Sequence, residues 1–333
     1  MGERAVFPGL IGNDRLRELF RSELSEQKTA HAYILEGARG SGRHTAARMI
    51  AAAALCENRA DSRLPLPCGT CLSCRKVLGG RSVDVLTVQR GDKASIGVEA
   101  AREVRESLWV APNDGDRKFY LIEDAHRMTA QAQNALLLSL EEPPPWVTFF
   151  LLCEDSSLLL ETIRSRAPTL KMQRFSPEDT EKWLRGQHET AHAEPDRIKA
   201  AARLAKGSLG LALEYCAGDG GEIERYRAAA ELAKHLLSGR KSDAAVFLTT
   251  LPKDRRSLAD ILSLTRAAVR DVVAAGKGGE LLFYPPSDGI PQELKKASPR
   301  RAMDLVGALG DAELDIMANL SQNVVLTALL LKA

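Results

Sequence analysis

The chain has 333 residues, enough for two or three domains with hydrophobic cores of their own. An apolar fraction of 44% and a charged fraction of 27% are typical of a soluble globular protein, and no uncharged apolar run reaches the roughly 18 residues that a membrane span needs. The formal net charge of +2 argues neither for nor against nucleic acid, because a local basic face could lie within it. The N-terminal residues lack the pattern of a secretory signal, so we expect a cytoplasmic protein with no membrane partner.

Helices and strands alternate over the first half of the chain. Helical spacing of apolar residues predicts helices at 13–27, 45–55, 97–109 and 129–141. Short apolar runs predict strands at 31–37, 84–88, 118–124 and 147–154. This alternation indicates a parallel sheet with helices on both faces.

From about residue 173 onward the pattern is helical. Ser176 is a predicted N-cap with Pro177 at the first helical position, and Gly207 is predicted to stop a helix that begins near residue 194. Further helices are predicted at 224–238, 242–250, 256–275, 291–296, 299–307 and 311–331, with a linker at 216–222 and a loop at 276–291. We therefore expect an α/β domain at 1–172, a small helical domain at 173–218 and a helical domain at 219–333.

The segment "EGARGSGRHT" follows the first strand and resembles a phosphate-binding loop, G-x-x-x-x-G-K-[ST]. Gly37, Gly40 and Gly42 supply the turn, whose backbone amides would face phosphate oxygens. Arg43 replaces the lysine and keeps its charge on a longer, forked group. His44 replaces the hydroxyl residue, and imidazole is a poor substitute for an oxygen ligand of Mg²⁺.

The acidic residues that would hold the metal also depart from the expected pattern. Glu123 and Asp124 stand in the order opposite to Asp-Glu, and Thr45 supplies a hydroxyl only if the loop shifts by one residue. Misplacing a catalytic group by about 1 Å can lower a rate roughly a hundredfold. ATP hydrolysis, nucleotide binding without turnover and a turn retained for packing all remain open, and these departures favour the last. ATP and Mg²⁺ are not expected as cofactors of this chain.

Four of the six cysteines form a cluster with the spacing C-x11-C-x2-C-x2-C, namely Cys56, Cys68, Cys71 and Cys74. Four thiolates suit a tetrahedral Zn²⁺ ion in a closed structural site, and a reducing compartment disfavours disulfides. Unpaired structural thiols are the alternative to zinc, and Cys153 and Cys216 are expected to be ordinary buried thiols.

Arg164 and Arg166 follow the last predicted strand of the α/β region. An arginine that projects from a nucleotide-binding fold can stabilise phosphate charge in a neighbouring subunit. From spacing alone, surface arginines at a helix end are the simpler interpretation.

Four further blocks of the sequence are "NALLLSLEEPPP", "ETIRSRAP", "PCGTCLSCRKV" and "SIGVEAAREVRE". Together they resemble the bacterial clamp-loader ATPases of DNA polymerase III. The resemblance covers residues 10–215 and continues weakly to "NLSQNVVLTALLLKA". It implies an AAA+ type P-loop α/β domain that carries a zinc module, followed by a helical lid domain and an all-helical collar domain. It also implies that Arg166 matches the trans-acting arginine of this family, although Ala167 replaces the cysteine that commonly follows.

Within this family the motor subunits, tau and gamma, carry an intact phosphate loop, whereas the delta-prime stator often has a degraded one. Gly210 stands where the motors have a phosphate-sensing arginine, and Cys153 and Glu154 replace their paired threonines. The resemblance therefore implies a delta-prime-like stator in a complex with tau or gamma and delta. Through that complex it would act on the sliding clamp and on primer-template DNA.

The end of the chain carries an apolar stripe at helical spacing, made up of Leu314, Met317, Leu320, Val324, Ala328 and Leu331. The stripe either joins the subunits of a ring or belongs to the core of the chain itself. Two other functions remain open: an ATP-driven motor on DNA that uses Thr45 with the Glu123–Asp124 pair, and a DNA-binding zinc protein, which the near-neutral charge disfavours.

Overall fold

The computed structural model describes residues 4–26, 28–90, 95–218, 221–279, 281–284, 289–318 and 320–332. It divides into two compact units, Met1–Arg174 and Phe175–Ala333. Within the described ranges no helix is long and apolar enough to cross a membrane.

The first unit is built on a five-stranded sheet. Its strands are β1 (Ala32–Glu36), β2 (Val85–Val88), β3 (Lys118–Ile122), β4 (Val147–Cys153) and β5 (Thr169–Lys171). Their order is β2-β3-β4-β1-β5, and every pair is parallel. The four predicted strands are confirmed. The fifth was missed because it has only three residues, two of them exposed, and so shows no apolar run.

Helices cover both faces of this sheet, as the alternation predicted. They are α1 (Asp14–Glu26), α2 (Arg43–Ala54), α3 (Leu72–Leu78), α4 (Val98–Ser107), α5 (Ala130–Glu141) and α6 (Glu161–Arg164). Phe150 on β4 packs with α1 and α2, whereas its neighbour Phe149 packs with α4 and α5, because successive side chains of a strand point to opposite faces. Gln27, the last residue of the first predicted helix, lies outside the described residues.

The second unit is helical throughout its described part. Its helices are α7 (Pro177–Arg185), α8 (Pro195–Leu204), α9 (Leu209–Ala217), α10 (Gly221–Ser238), α11 (Lys241–Thr250), α12 (Arg255–Ala275), α13 (Pro299–Met317) and α14 (Gln322–Lys332). Ser176 caps α7 as predicted, by accepting a hydrogen bond from Asp179 N. The segment predicted as a helix at 291–296 contains a single 3₁₀ turn, Leu294–Lys296. Parts of the predicted linker (219–220) and loop (280 and 285–288) lie outside the described residues.

The predicted position of the break between the helices at 299–307 and 311–331 was wrong. A single helix, α13, continues through Gly307 and Gly310, and the break comes after Met317. Each helical glycine costs only about 1 kcal/mol relative to alanine, and the burial of Leu305, Leu309 and other α13 side chains outweighs that cost. Asn319, in the break, lies outside the described residues.

Two apolar clusters stabilise the second unit. One joins α7, α8 and α9 through Leu184, Ile198 and Ala212, and a larger one joins α10 to α14. Most of the first cluster lies within the region predicted as a small helical domain, 173–218, and the cluster also includes Ile223 on α10. The division into three domains stays a prediction.

Candidate functional site

The predicted phosphate loop connects β1 to α2, and its shape depends on glycine. Gly42 precedes α2 with φ of 88°, a left-handed conformation that L side chains rarely adopt. A Cβ on Gly37 would lie 2.6 Å from Ser41 Oγ and 2.8 Å from Met172 Cβ, so no side chain fits there. Glycine therefore shapes the turn that leads into α2, whose first amides are the groups expected to face an anion in a phosphate loop.

His44 and Glu123 meet at the carboxyl edge of the sheet. The Nε2 atom of His44 lies 2.7 Å from Oε1 of Glu123, with both side chains about one-third exposed. The contact with His44 lowers the pKa of Glu123 below its ordinary value and outweighs the opposing effect of burial. His44 and Glu123, the residues predicted from sequence to replace the Mg²⁺-binding hydroxyl and the metal ligand, thus contact each other.

The Arg43 side chain is largely buried, with only 12% of it exposed, and its Nη2 is 4.0 Å from Glu154 Oε1. Its Nη1 is buried and has no hydrogen-bond partner among the described residues. Thr45, the alternative hydroxyl, is exposed on α2.

The carboxylate of Asp124 contacts Arg90, whereas that of Glu123 contacts His44. The Asp124 carboxylate lies 3.6 Å from Arg90 Nε, and the backbone of this residue has φ of 47°. The adjacent His126 accepts a hydrogen bond from Glu154 N at 3.4 Å, and burial lowers the pKa of His126. The structure therefore separates the two acidic residues, so that Glu123 contacts His44 and Asp124 contacts Arg90.

The four predicted cysteines come together in the first unit, although Cys56 follows α2 and the other three lie at or near α3. Their sulfur atoms all lie within 4.8 Å of one another. Four sulfurs at about 2.3 Å from one tetrahedral zinc ion would be separated by about 3.8 Å, and Cys68 Sγ is 3.9 Å from Cys74 Sγ. The donor set and spacing fit a tetrahedral metal ion.

Hydrogen-bond donors surround the sulfur of Cys68. Cys71 N donates to it at 3.4 Å, and Asn58 Nδ2 and Thr70 Oγ1 donate at 3.6 Å. Burial raises the pKa of this thiol, but the donors prevail and lower the pKa of Cys68 to about 5. Burial raises the pKa of Cys74. Such donors stabilise thiolate, the form that binds metal.

Arg166 lies just after α6 and forms an ion pair with Glu141 at the end of α5. Its Nη2 donates to Glu141 Oε1 at 2.6 Å and its Nη1 to Thr162 O at 2.8 Å. About one-third of the Arg166 side chain remains exposed. Arg164 is exposed, while Cys153 and Cys216 are buried as predicted. Glu141, Glu154 and Arg90 could not be predicted as partners of these side chains, because long-range pairing leaves no trace in residue spacing.

The first unit is a parallel-sheet α/β domain with a glycine-rich loop between β1 and α2. Residues 12–176 match the family described as "DNA polymerase III, delta subunit". Over these residues the chain is similar to the DNA polymerase III subunits that this family describes.

Two curated relatives are also similar to this chain. The tau subunit of DNA polymerase III from Escherichia coli is 32% identical over 223 residues, which cover 65% of this chain and 34% of that protein. The gamma subunit from Buchnera aphidicola is 32% identical over 209 residues, which cover 62% of this chain and 56% of that protein. The chain thus spans about a third to a little over half of the relatives it matches.

Solved structures are similar over the length of the chain at low identity. A gamma subunit-related protein of DNA polymerase III from Thermotoga maritima is 16% identical, covering 96% of this chain and 98% of that one, with a TM-score of 0.48. The clamp-loader delta protein of Bacillus subtilis is 11% identical, covering 95% and 98%, with a TM-score of 0.41.

Proposed function

We propose that this chain is a delta-prime-like stator of a bacterial clamp loader. It does not hydrolyse ATP itself, and it supplies Arg166 to the ATP site of a neighbouring tau or gamma subunit. Through the complex, which also includes delta, it helps to load the sliding clamp onto primer-template DNA.

The observation that carries this proposal is the contact between His44 and Glu123. In a working phosphate loop the hydroxyl after the lysine and a nearby acidic residue hold Mg²⁺. Here an imidazole replaces the hydroxyl and lies 2.7 Å from the carboxylate. A metal ion at this place would have to displace His44 and would gain no oxygen ligand from it.

The C-terminal apolar face supports a role in an assembly. It consists of Leu314 and Met317 on α13, Leu320 in the break, and Val324, Ala328 and Leu331 on α14, all of them exposed. Leu314 is 70% and Leu331 74% exposed, so the alternative that this stripe forms the core of the chain is wrong. Apolar patches of this kind mark protein–protein contacts. In the proposed ring this face belongs to the collar, and residues 173–218 form the lid domain.

The cysteine cluster would hold a structural Zn²⁺ ion through Cys56, Cys68, Cys71 and Cys74. Four protein sulfurs leave no open position for a substrate. The ion would tie α3 to the end of α2 and so stabilise the α/β domain.

The alternative is an active motor subunit, which the tau and gamma names of the curated relatives favour. In that case the histidine and the reordered acidic pair would be tolerated, and the isolated chain would turn over ATP with Mg²⁺.

Titration of the purified chain with a fluorescent ATP analogue and Mg²⁺, followed by a turnover assay, separates the two functions. The stator predicts no turnover. A variant that combines Arg43→Lys with His44→Thr is the matched control, because it restores both consensus side chains and should bind nucleotide more tightly than the natural loop. Turnover by the natural chain, unchanged by that double substitution, would identify a motor.

A further inference from the structure

A cavity of about 490 Å³ lies at the edge of the sheet opposite the phosphate loop. Thr29 before β1, Arg117 before β3 and Ala54 at the end of α2 contribute to its wall. Parallel strands begin at this edge and end at the other, and α2, with 12 residues, spans about 18 Å between them. The volume falls within the range of about 300–1,000 Å³ that small-molecule sites occupy. The cavity is thus separate from the candidate nucleotide site.

Positive charge dominates the lining. Four arginines and two carboxylates contribute side chains, namely Arg4, Arg21, Arg59, Arg117, Glu23 and Asp116. Glu23 accepts a hydrogen bond from Tyr33, and burial raises the pKa of Glu23. The cations therefore outnumber the anions by at least two. Guanidinium groups match the planar or tetrahedral oxygens of carboxylates and phosphates.

The guanidinium group of Arg4 has two hydrogen-bonded nitrogens and one nitrogen without a partner among the described residues. Its Nε donates to Leu64 O at 2.9 Å and its Nη1 donates to Arg59 O at 2.8 Å. These two hydrogen bonds fix the position of the guanidinium group. The remaining nitrogen, Nη2, is buried and has no acceptor among the described residues. A buried donor without an acceptor is costly, so this position calls for an oxygen that the described part of the chain does not provide.

The rest of the lining selects an organic ligand over a bare ion. Val6, Leu24, Leu66, Ala53 and Ala54 form an apolar wall. At the polar side, Arg59 Nη2 contacts Asp116 Oδ2 at 3.0 Å and is about half exposed, so it can reach a ligand. We propose that this cavity binds a small organic anion, with its phosphate or carboxylate group on the arginines and its apolar part against the opposite wall.

Isothermal titration calorimetry of the full chain at low ionic strength tests the proposal. The probes are phenyl phosphate and benzoate, with phenol as the uncharged analogue and inorganic phosphate as the anion without an apolar part. We expect one-to-one binding of phenyl phosphate, benzoate or both, weaker binding of inorganic phosphate and none of phenol. The stronger of the first two identifies the source of the anionic group.

Three substitutions test whether the anion binds in this cavity. Arg59→Gln should weaken binding at least about tenfold, because it removes one charged partner. Arg63→Gln is the matched control, since Arg63 lies in the same segment, pairs with Asp61 and does not line the cavity. Ala60→Leu fills the cavity without changing its charge and should also weaken binding.

Arg43→Gln in the phosphate loop should leave the affinity unchanged. Equal affinity in Arg59→Gln and Arg63→Gln, loss of binding in Arg43→Gln, or no binding of any anion would overturn the proposal. None of these outcomes depends on whether the chain hydrolyses ATP.

Discussion

Arg166 and Glu141, from two different segments of the α/β unit, form an ion pair with 2.6 Å between Nη2 and Oε1. The carbonyl of Thr162 holds the other terminal nitrogen. A guanidinium group carries five N–H donors, so these contacts orient Arg166 and leave donors for phosphate oxygens outside the chain. Glu141 is therefore a positioning residue for the proposed trans-acting arginine.

Substitution of Arg166 tests the trans role directly. We expect Arg166→Ala to lower the ATPase of the complex reconstituted with tau or gamma and delta at least about tenfold, because arginine fingers contribute about 10³–10⁵ in kcat elsewhere. The isolated chain should unfold at the wild-type temperature, since Arg166 is about one-third exposed. Unchanged turnover in the complex would rule out the trans role.

Glu141→Gln should give a smaller effect. Exposed ion pairs contribute about 0.2–1 kcal/mol, so we expect kcat of the same complex to fall by up to about fivefold, with the KM for ATP nearly unchanged. Glu142→Gln is the control, because Glu142 is exposed next to Glu141 whereas the ion pair of Arg166 is with Glu141. If the two glutamine variants behave alike, Glu141 has no positioning role.

Substitution in the cysteine cluster tests the metal. Cys71→Ser should lower the zinc content measured by mass spectrometry and destabilise the α/β unit, because structural zinc sites contribute folding free energy directly. Cys216→Ser, in the helical unit, should retain the metal. Wild-type protein purified without any bound metal would end this interpretation.

The contact between Glu123 and His44 predicts a pH-dependent stability. The pKa of Glu123 is lowered from its ordinary value of 4.5, so its contribution is present above that value and is lost as the pH falls through the folded pKa. We expect wild type to exceed Glu123→Gln in free energy of unfolding at pH 7, with the difference shrinking below about pH 4.5.

Urea denaturation at several pH values measures this difference. In a His44→Ala background the effect of Glu123→Gln should be smaller by about 0.2–1 kcal/mol, the usual coupling of a partly exposed pair. A difference that is independent of both pH and His44 would show that the contact contributes nothing to stability.

The C-terminal apolar face predicts a loss of assembly without a loss of folding. Leu314→Glu and Val324→Glu should weaken association with partner subunits in sedimentation velocity, because each would place a charge in an apolar contact. Both side chains are at least 64% exposed, so the isolated chain should keep its stability. Asn323→Glu, an exposed polar position on α14, is the control. Association equal to wild type in all three variants would remove this face from the interface.

Local chemistry explains which features could be predicted from sequence. Apolar runs predicted β1 to β4, the spacing of Gly37 and Gly42 predicted the loop, and the cysteine spacing predicted the cluster. Pairings over long separations, such as His44 with Glu123 and Arg166 with Glu141, could not be predicted, because the sheet alone brings them together.

Gly310 shows that the presence of a glycine is not enough to predict where a helix ends. Glycine is a common end of a helix, yet α13 continues through this position. A Cβ on Gly310 would lie 3.3 Å from Arg266 Nη1, so the glycine makes room for a side chain of α12. Tertiary packing, which the sequence does not display, explains its presence.

Helix α2 begins at the predicted phosphate loop and ends at the wall of the arginine-lined cavity. Cys56 follows directly after Leu55, the residue that caps the helix. All six alanines of α2 are at most 4% exposed, so short side chains hold it tightly against the sheet. A helix packed this closely transmits a displacement at one end to the other. The glycines that shape its first turn and the residues at its far end therefore belong to one packed helix, and we expect remodelling of that turn to disturb the cysteine cluster and the cavity even in a chain without ATP turnover.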